Sequence, residues 1–179
     1  MAESLGTRLR RYAEKDGRGY PDWAVRYLPV VRRLQRLGKC HGRNRERILE
    51  IGANENGLAR FANVPAIVTD LAIDHLRAAR ATQNVTPVVA DIAALPFPPE
   101  TFDVCVCMDT FEHLPQAVRL EAARQIIAAI KPNAVAVVGF PSGDAAAHAE
   151  HDIQHAYTAL TGRPLHWLEE HAAQGLPNA

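Results

Sequence analysis

The run Arg47-Ile48-Leu49-Glu50-Ile51-Gly52-Ala53-Asn54-Glu55-Asn56-Gly57-Leu58 decides the fold. A short apolar stretch with a polar break before it and a glycine turn after it reads as a buried strand. The helix expected from Leu58 to Phe61 makes the whole segment strand, tight turn, helix. Such a turn lets backbone approach a ligand, and the helix N-terminus presents unpaired N–H groups to it. Gly52 and Gly57 fit the outer glycines of a G-x-G-x-x-G loop. Asn54 stands where the middle glycine would be, and asparagine tolerates left-handed backbone better than most residues.

Outward from this segment the alternation continues. Strands are expected over 47–51, 65–70, 86–90, 102–108 and 134–140, with helices over 74–82 and 116–130 between them. Strands alternating with helices of this length specify an α/β, Rossmann-like, doubly wound sheet of five parallel strands. Residues 1–46 read as a helical N-terminal extension, 47–143 as the core and 144–179 as a helical C-terminal segment of one domain. In the extension, 5–13 is a basic amphipathic stretch, and a second helix opens near Pro21 with Pro29 expected to kink it.

The bulk properties restrict the function classes. At 179 residues with 47% hydrophobic and 22% charged residues, the chain suits one globular domain with a real core. No apolar run approaches the ~20 residues of a membrane-spanning helix, and the N-terminus lacks a secretory apolar core. A cytoplasmic location is the expectation. Three cysteines, an odd count, point to reduced thiols, with Cys105 and Cys107 on one strand face as small apolar fillers. Residues 1–47 hold 13 Lys/Arg against 5 Asp/Glu, although the net charge is zero. That asymmetry fits solvated helix faces, with binding to nucleic acid as the minority option.

Two carboxylates mark the far ends of strands two and three. Asp70 follows Glu50 by twenty residues, where a carboxylate can accept hydrogen bonds from both hydroxyls of a ribose. A helix-cap or turn role is its bland counterpart. Asp91, followed by Ile92, suits an adenine amino group and its flat face.

With these residues in place, the chain resembles the class I S-adenosylmethionine (SAM)-dependent methyltransferases. The stretches ILEIGANENGLARF, IVTDLAIDHL, VVADIAALPFPPETFDVCVCMDTFEHL and IIAAIKPNAVAVVGFP look like that family's successive motifs, over roughly residues 46–141. The likeness is greatest to small-molecule enzymes of the methyltransferase type 11 group, whose fourth strand ends in D-x-x-E-H. The resemblance implies SAM as cofactor. It implies that Glu50, Gly52, Ala53 and Asn54 lie against the methionine end. Asp70 would hold the ribose, Leu71 would pack near adenine, and Asp91 with Ile92 would recognise the adenine edge. Met108 and Asp109 would border the sulfonium, and His113 would sit by the reaction pocket. The implied activity is methyl transfer to an oxygen or nitrogen of a small-molecule acceptor. His113 is the candidate base, because imidazole titrates near working pH. A structural histidine bonded to backbone is its alternative.

Three further expectations belong here. The family's sheet usually has seven strands, and only five are found, so strand five should leave an edge covered by the C-terminal helices or by a second copy in a homodimer. Tyr20, Trp23 and Tyr27 are candidates for an aromatic lid, with plain packing as the equal alternative. No metal ligand is assigned: His148, His151 and His155 lie at helical spacing, and an exposed His-rich helix accounts for them, although 151 and 155 share a face. The competing functions are a SAM-binding module without turnover, a nicotinamide dinucleotide enzyme, and an RNA methyltransferase using the basic N-terminal region.

Overall fold

In the computed structural model the described residues are 20–40, 46–53, 57–79 and 84–177, with the side chains of 20–24 and 78 excluded. The basic stretch 5–13, the lid candidates Tyr20 and Trp23 as side chains, and Asn54 therefore lie outside the described residues. Helix α1 (Tyr20–Arg36) keeps Pro29 inside it. The core then runs β1 (Ile48–Ile51), α2 (Leu58–Ala62), β2 (Ala66–Asp70), α3 (Ile73–Ala79), β3 (Val85–Val89), β4 (Phe102–Met108), α4 (Gln116–Ala129) and β5 (Ile130–Gly139). Short 3-10 turns follow β3 at Ile92–Ala94 and β4 at Phe111–His113, and α5 (Gly143–Thr161) and α6 (His166–Gln174) complete the chain.

The five strands form one parallel sheet in the order β3-β2-β1-β4-β5. From β1 the chain builds outward on one side through β2 and β3, then crosses to the other side with β4 and β5. The reversal lies between β1 and β4, where open α/β sheets leave a crevice at the carboxyl ends of their strands.

Alternation along the central strands feeds two cores. Ile48, Val68, Val104 and Val106 join one cluster with Tyr27, Val31, Leu34, Leu58 and Phe61. Leu49, Ile51, Cys105 and Cys107 join the other with Ile126 and Ala129 of α4. Both faces of the sheet are therefore covered, as the near-continuous apolar strands require. Each large side chain buried this way contributes roughly 1.5–3 kcal/mol. The shared face of Cys105 and Cys107 is as the spacing indicates, and all three cysteines are buried and outside any disulfide.

Tyr27 corrects one expectation. It is buried against Phe61, with ring centroids 6.2 Å apart, so it is a core residue and no part of a lid. A second difference is at β5, which starts earlier than the apolar run suggests. Its pairing to β4 passes from Phe102↔Ile130 to Val104↔Val135, an irregularity that absorbs Pro132 and Asn133. Asn133 has φ +63°, and a proline without an N–H is tolerated at such a bulge. The bulge is pinned by Lys131 Nζ, which donates to Asp103 Oδ1 at 2.8 Å. The Arg47 amide donates to Asp103 Oδ2 at 3.0 Å, and these partners hold the Asp103 carboxyl below the usual range.

The C-terminal helices pack on each other, and α6 packs on the turn Phe111–His113. Arg119 of α4 anchors α6: its side chain donates to the carbonyls of Leu114, Gln174 and Gly175. β5 is the outermost strand of the sheet on that side, with Val138 40% exposed. No helix among the described residues is long and apolar enough to cross a membrane.

Candidate cofactor pocket at the strand ends

The loop after β1 is shaped by two glycines with different duties. Gly52 has φ +72°, and a Cβ there would run into the Thr110 side chain. Its amide donates to Thr69 O at 2.7 Å, so the turn is tied to β2 and packed against the turn after β4. Gly57 faces Glu50, and a Cβ at Gly57 would stand 2.6 Å from Glu50 Oε1. The Glu50 carboxylate accepts from the amides of Leu58 and, at 2.9 Å, Ala59. Those are orphan donors of the first turn of α2, where negative charge is favoured. Burial pushes the Glu50 carboxyl up to about 7, against the lowering effect of the two amides.

A cavity of about 670 Å³ opens at the carboxyl rim. Its lining brings together Gly52, Asp70, Leu71, Asp91, Ile92, Asp109 and His113, with Thr110 and Trp167 among the additional residues. The volume lies within the ~300–1,000 Å³ typical of small-ligand pockets. Of the other residues singled out from the sequence, Glu50, Ala53, Gly57 and Met108 do not line it. Glu50 and Ala53 are buried behind the turn, and Met108 packs toward Gly139. Glu50 thus serves as the cap that sets the loop.

Local hydrogen bonds fix the two rim carboxylates. Asp70 Oδ1 accepts from the Ala72 amide at 2.7 Å, and Oδ2 lies 3.3 Å from His75 Nδ1. Asp91 Oδ1 accepts from the Ala93 amide at 2.8 Å and caps the turn that follows. Each carboxylate therefore has the bland turn role as well as a place on the cavity wall. Leu71 is 70% exposed at that wall, an apolar surface open to a flat ring.

Beyond β4, Asp109 adopts φ +51°, a left-handed geometry uncommon outside glycine. Its amide donates to Gly139 O at 2.8 Å, and Arg26 of α1 donates to Asp109 Oδ2 at 2.7 Å. The Arg26 contact spans 83 residues, and no local pattern announces it. His113 is contacted from α6 rather than by backbone carbonyls: Nδ1 lies 2.9 Å from Glu170 Oε2 and Nε2 lies 3.3 Å from His171 Nε2. His171 is buried, with Nδ1 2.9 Å from Glu150 Oε1 of α5. Beside this pair sits Glu112, 1% exposed, its carboxyl pushed up to about 7 by burial. His75, Glu170 and His171 were given no individual role from the sequence. The E-H step of the D-x-x-E-H pattern did mark Glu112 as the neighbour of His113.

The architecture is that of a Rossmann-like methyltransferase domain. Residues 48–133, a little under half of the chain, match the family model described as "Methyltransferase domain", and this core is similar to the class I SAM-dependent methyltransferases, a family whose cofactor is SAM.

Solved structures agree on the fold. The methyltransferase solved in complex with the Haloferax volcanii Trm112 activator is 17% identical, with a TM-score of 0.59 and 83% of this chain and 66% of that chain covered. A SAM-dependent methyltransferase from Mesorhizobium loti is 21% identical, with a TM-score of 0.51 and 64% and 53% covered. A SAM-dependent methyltransferase from Thermotoga maritima is 17% identical, with a TM-score of 0.54 and 75% and 61% covered. The chain spans roughly half to two thirds of the length of these structures. Among curated proteins no sequence matches it.

Proposed function

We propose that this chain transfers the methyl group of SAM to an oxygen or nitrogen of a small-molecule acceptor. The observation that carries the reading is that Gly52, Asp70 and Asp91, from the ends of three adjacent strands, line a single cavity. In this reading Asp70 receives the ribose hydroxyls, Leu71 and Ile92 flank the adenine, and Asp91 accepts from its amino group. The methionine end runs over the Gly52 turn toward Asp109, with Ala53 in that turn and Met108 backing it.

A sulfonium methyl is already an activated electrophile. The protein has to align the acceptor in line with the departing sulfur and exclude water, so positioning supplies most of the gain. An acceptor O–H or N–H also loses a proton. His113 is the group on the cavity wall suited to take it, with Glu170 turned toward its Nδ1. Trp167 and Glu170 of α6 add an acceptor-side wall.

Calorimetric titration with SAM and S-adenosylhomocysteine, with mass spectrometry of the purified protein for either molecule, tests the reading. Absence of binding by both ligands overturns it. A binding module without turnover is favoured by one observation, that both ring nitrogens of His113 are already in contact with other side chains. Methyl release in the presence of acceptor libraries separates the two. The reading extends to a second copy paired along β5, which sedimentation tests.

A further inference from the structure

Where β4 leaves the sheet, Glu112, His113 and His171 each offer a ligand atom, and these atoms all lie within 4.8 Å of one another. Glu112 Oε2 is buried with no hydrogen-bond partner among the described residues. Leaving a buried carboxylate oxygen unpaired is costly, and folded proteins rarely do so without a compensating group. The two imidazoles present Nε2 to Nε2 at 3.3 Å, while their outer Nδ1 atoms each lie 2.9 Å from a carboxylate, Glu170 for His113 and Glu150 for His171. With those carboxylates ionised, each Nδ1 carries the proton that faces them. In the neutral rings this leaves two Nε2 lone pairs 3.3 Å apart beside a third donor, a crowding of acceptors that a shared cation would relieve. Two nitrogens bound to a tetrahedral ion at about 2.0–2.1 Å stand about 3.3–3.4 Å apart, which is the separation found here. Carboxylates behind the rings are also the partners that fix the tautomer of metal-ligating histidines.

We propose that Glu112, His113 and His171 form a divalent metal site of the zinc class, with two imidazole ligands, one carboxylate ligand and one position left for water or a ligand. The nitrogen-rich donor set selects against magnesium and calcium, which favour oxygen shells. A bound ion ties α6 to the turn after β4. Because His113 lines the large cavity, the ion borders it. A ligated His113 has no lone pair for an acceptor proton, so the metal-loaded and metal-free chains differ in that step. Metal binding is measured without SAM, so the site stands or fails separately from the cofactor reading.

Tag-free, metal-stripped full-length protein titrated with Zn2+ should bind one ion per chain and gain thermal stability, with Mg2+ giving neither. His171→Ala and Glu112→Gln should each weaken Zn2+ binding at least tenfold, while His151→Ala on exposed α5 leaves it unchanged. His171 is buried, so circular dichroism accompanies that variant, and Glu112→Gln carries the comparison if it unfolds. No Zn2+ binding by the wild type, wild-type affinity in Glu112→Gln, or loss of binding in His151→Ala overturns the site.

Discussion

The carboxylate of Glu50 occupies the space that a side chain on Gly57 would need, with its three terminal atoms 2.6–2.8 Å from that Cβ position. Because the same carboxylate caps α2, a methyl at Gly57 displaces the cap. Gly57→Ala should destabilise the domain by roughly 1–3 kcal/mol, the usual cost of leaving buried polar groups unpaired. Urea denaturation reads it directly, and a midpoint equal to wild type would show that the cap is dispensable.

The protonation of Glu50 gives a pH signature. Its carboxyl titrates near 4.5 as its ordinary value and near 7 in the folded chain, with burial the dominant cause. Between those values the native state binds more protons than the unfolded state, so this group's stabilisation is complete below about pH 4.5 and is lost as pH rises toward 7. The slope approaches about −1.4 kcal/mol per pH unit. Thermal midpoints of wild type relative to Glu50→Gln should therefore fall from pH 4.5 to 7 and level off above. A difference that does not vary with pH removes the assignment.

Asp70→Ala should weaken SAM binding by about 2 kcal/mol, or ~30-fold, if two ribose hydroxyls lose their acceptor. The substitution also removes the Ala72 turn bond, so calorimetry is paired with a denaturation curve. An unchanged dissociation constant would count against Asp70 as the ribose partner.

Arg26 and Asp109 form a solvent-facing pair, 44% and 32% exposed at the side chain. Such pairs contribute about 0–1 kcal/mol, and salt screens them. Arg26→Ala should leave the denaturation midpoint almost unchanged in 0.15 M salt. A loss above about 1 kcal/mol would mean that the contact holds α1 in place.

The sheet was legible because strand, helix and turn chemistry agree along 47–140. β4 falls on 102–108 as expected, and α4 on 116–129 against an expected end at 130. The early start of β5 was not legible, since Pro132-Asn133 read as a turn and only the pairing with β4 makes the segment a bulged strand. At the site, Gly52, Asp70 and Asp91 announce themselves by position at strand ends. The cap that Glu50 makes on Leu58 and Ala59 was not legible, since sequence spacing cannot tell a carboxylate that faces a ligand from one folded onto the helix that follows. His171 and Glu170 lie 58 and 57 residues from His113, and only the docking of α6 unites them. Tyr27 looked like a lid because an aromatic on an amphipathic helix has the same pattern whichever surface the helix meets.

The inward-facing thiols have a practical consequence. Cys40, Cys105 and Cys107 are shielded from solvent, and burial pushes the Cys107 thiol up to about 12 and raises Cys105 as well. Alkylating reagents attack thiolates, so none of the three should react while the fold is closed. The chain thus carries its own clock for opening: the rate of thiol modification in excess reagent reports how often the sheet comes apart, with no engineered label.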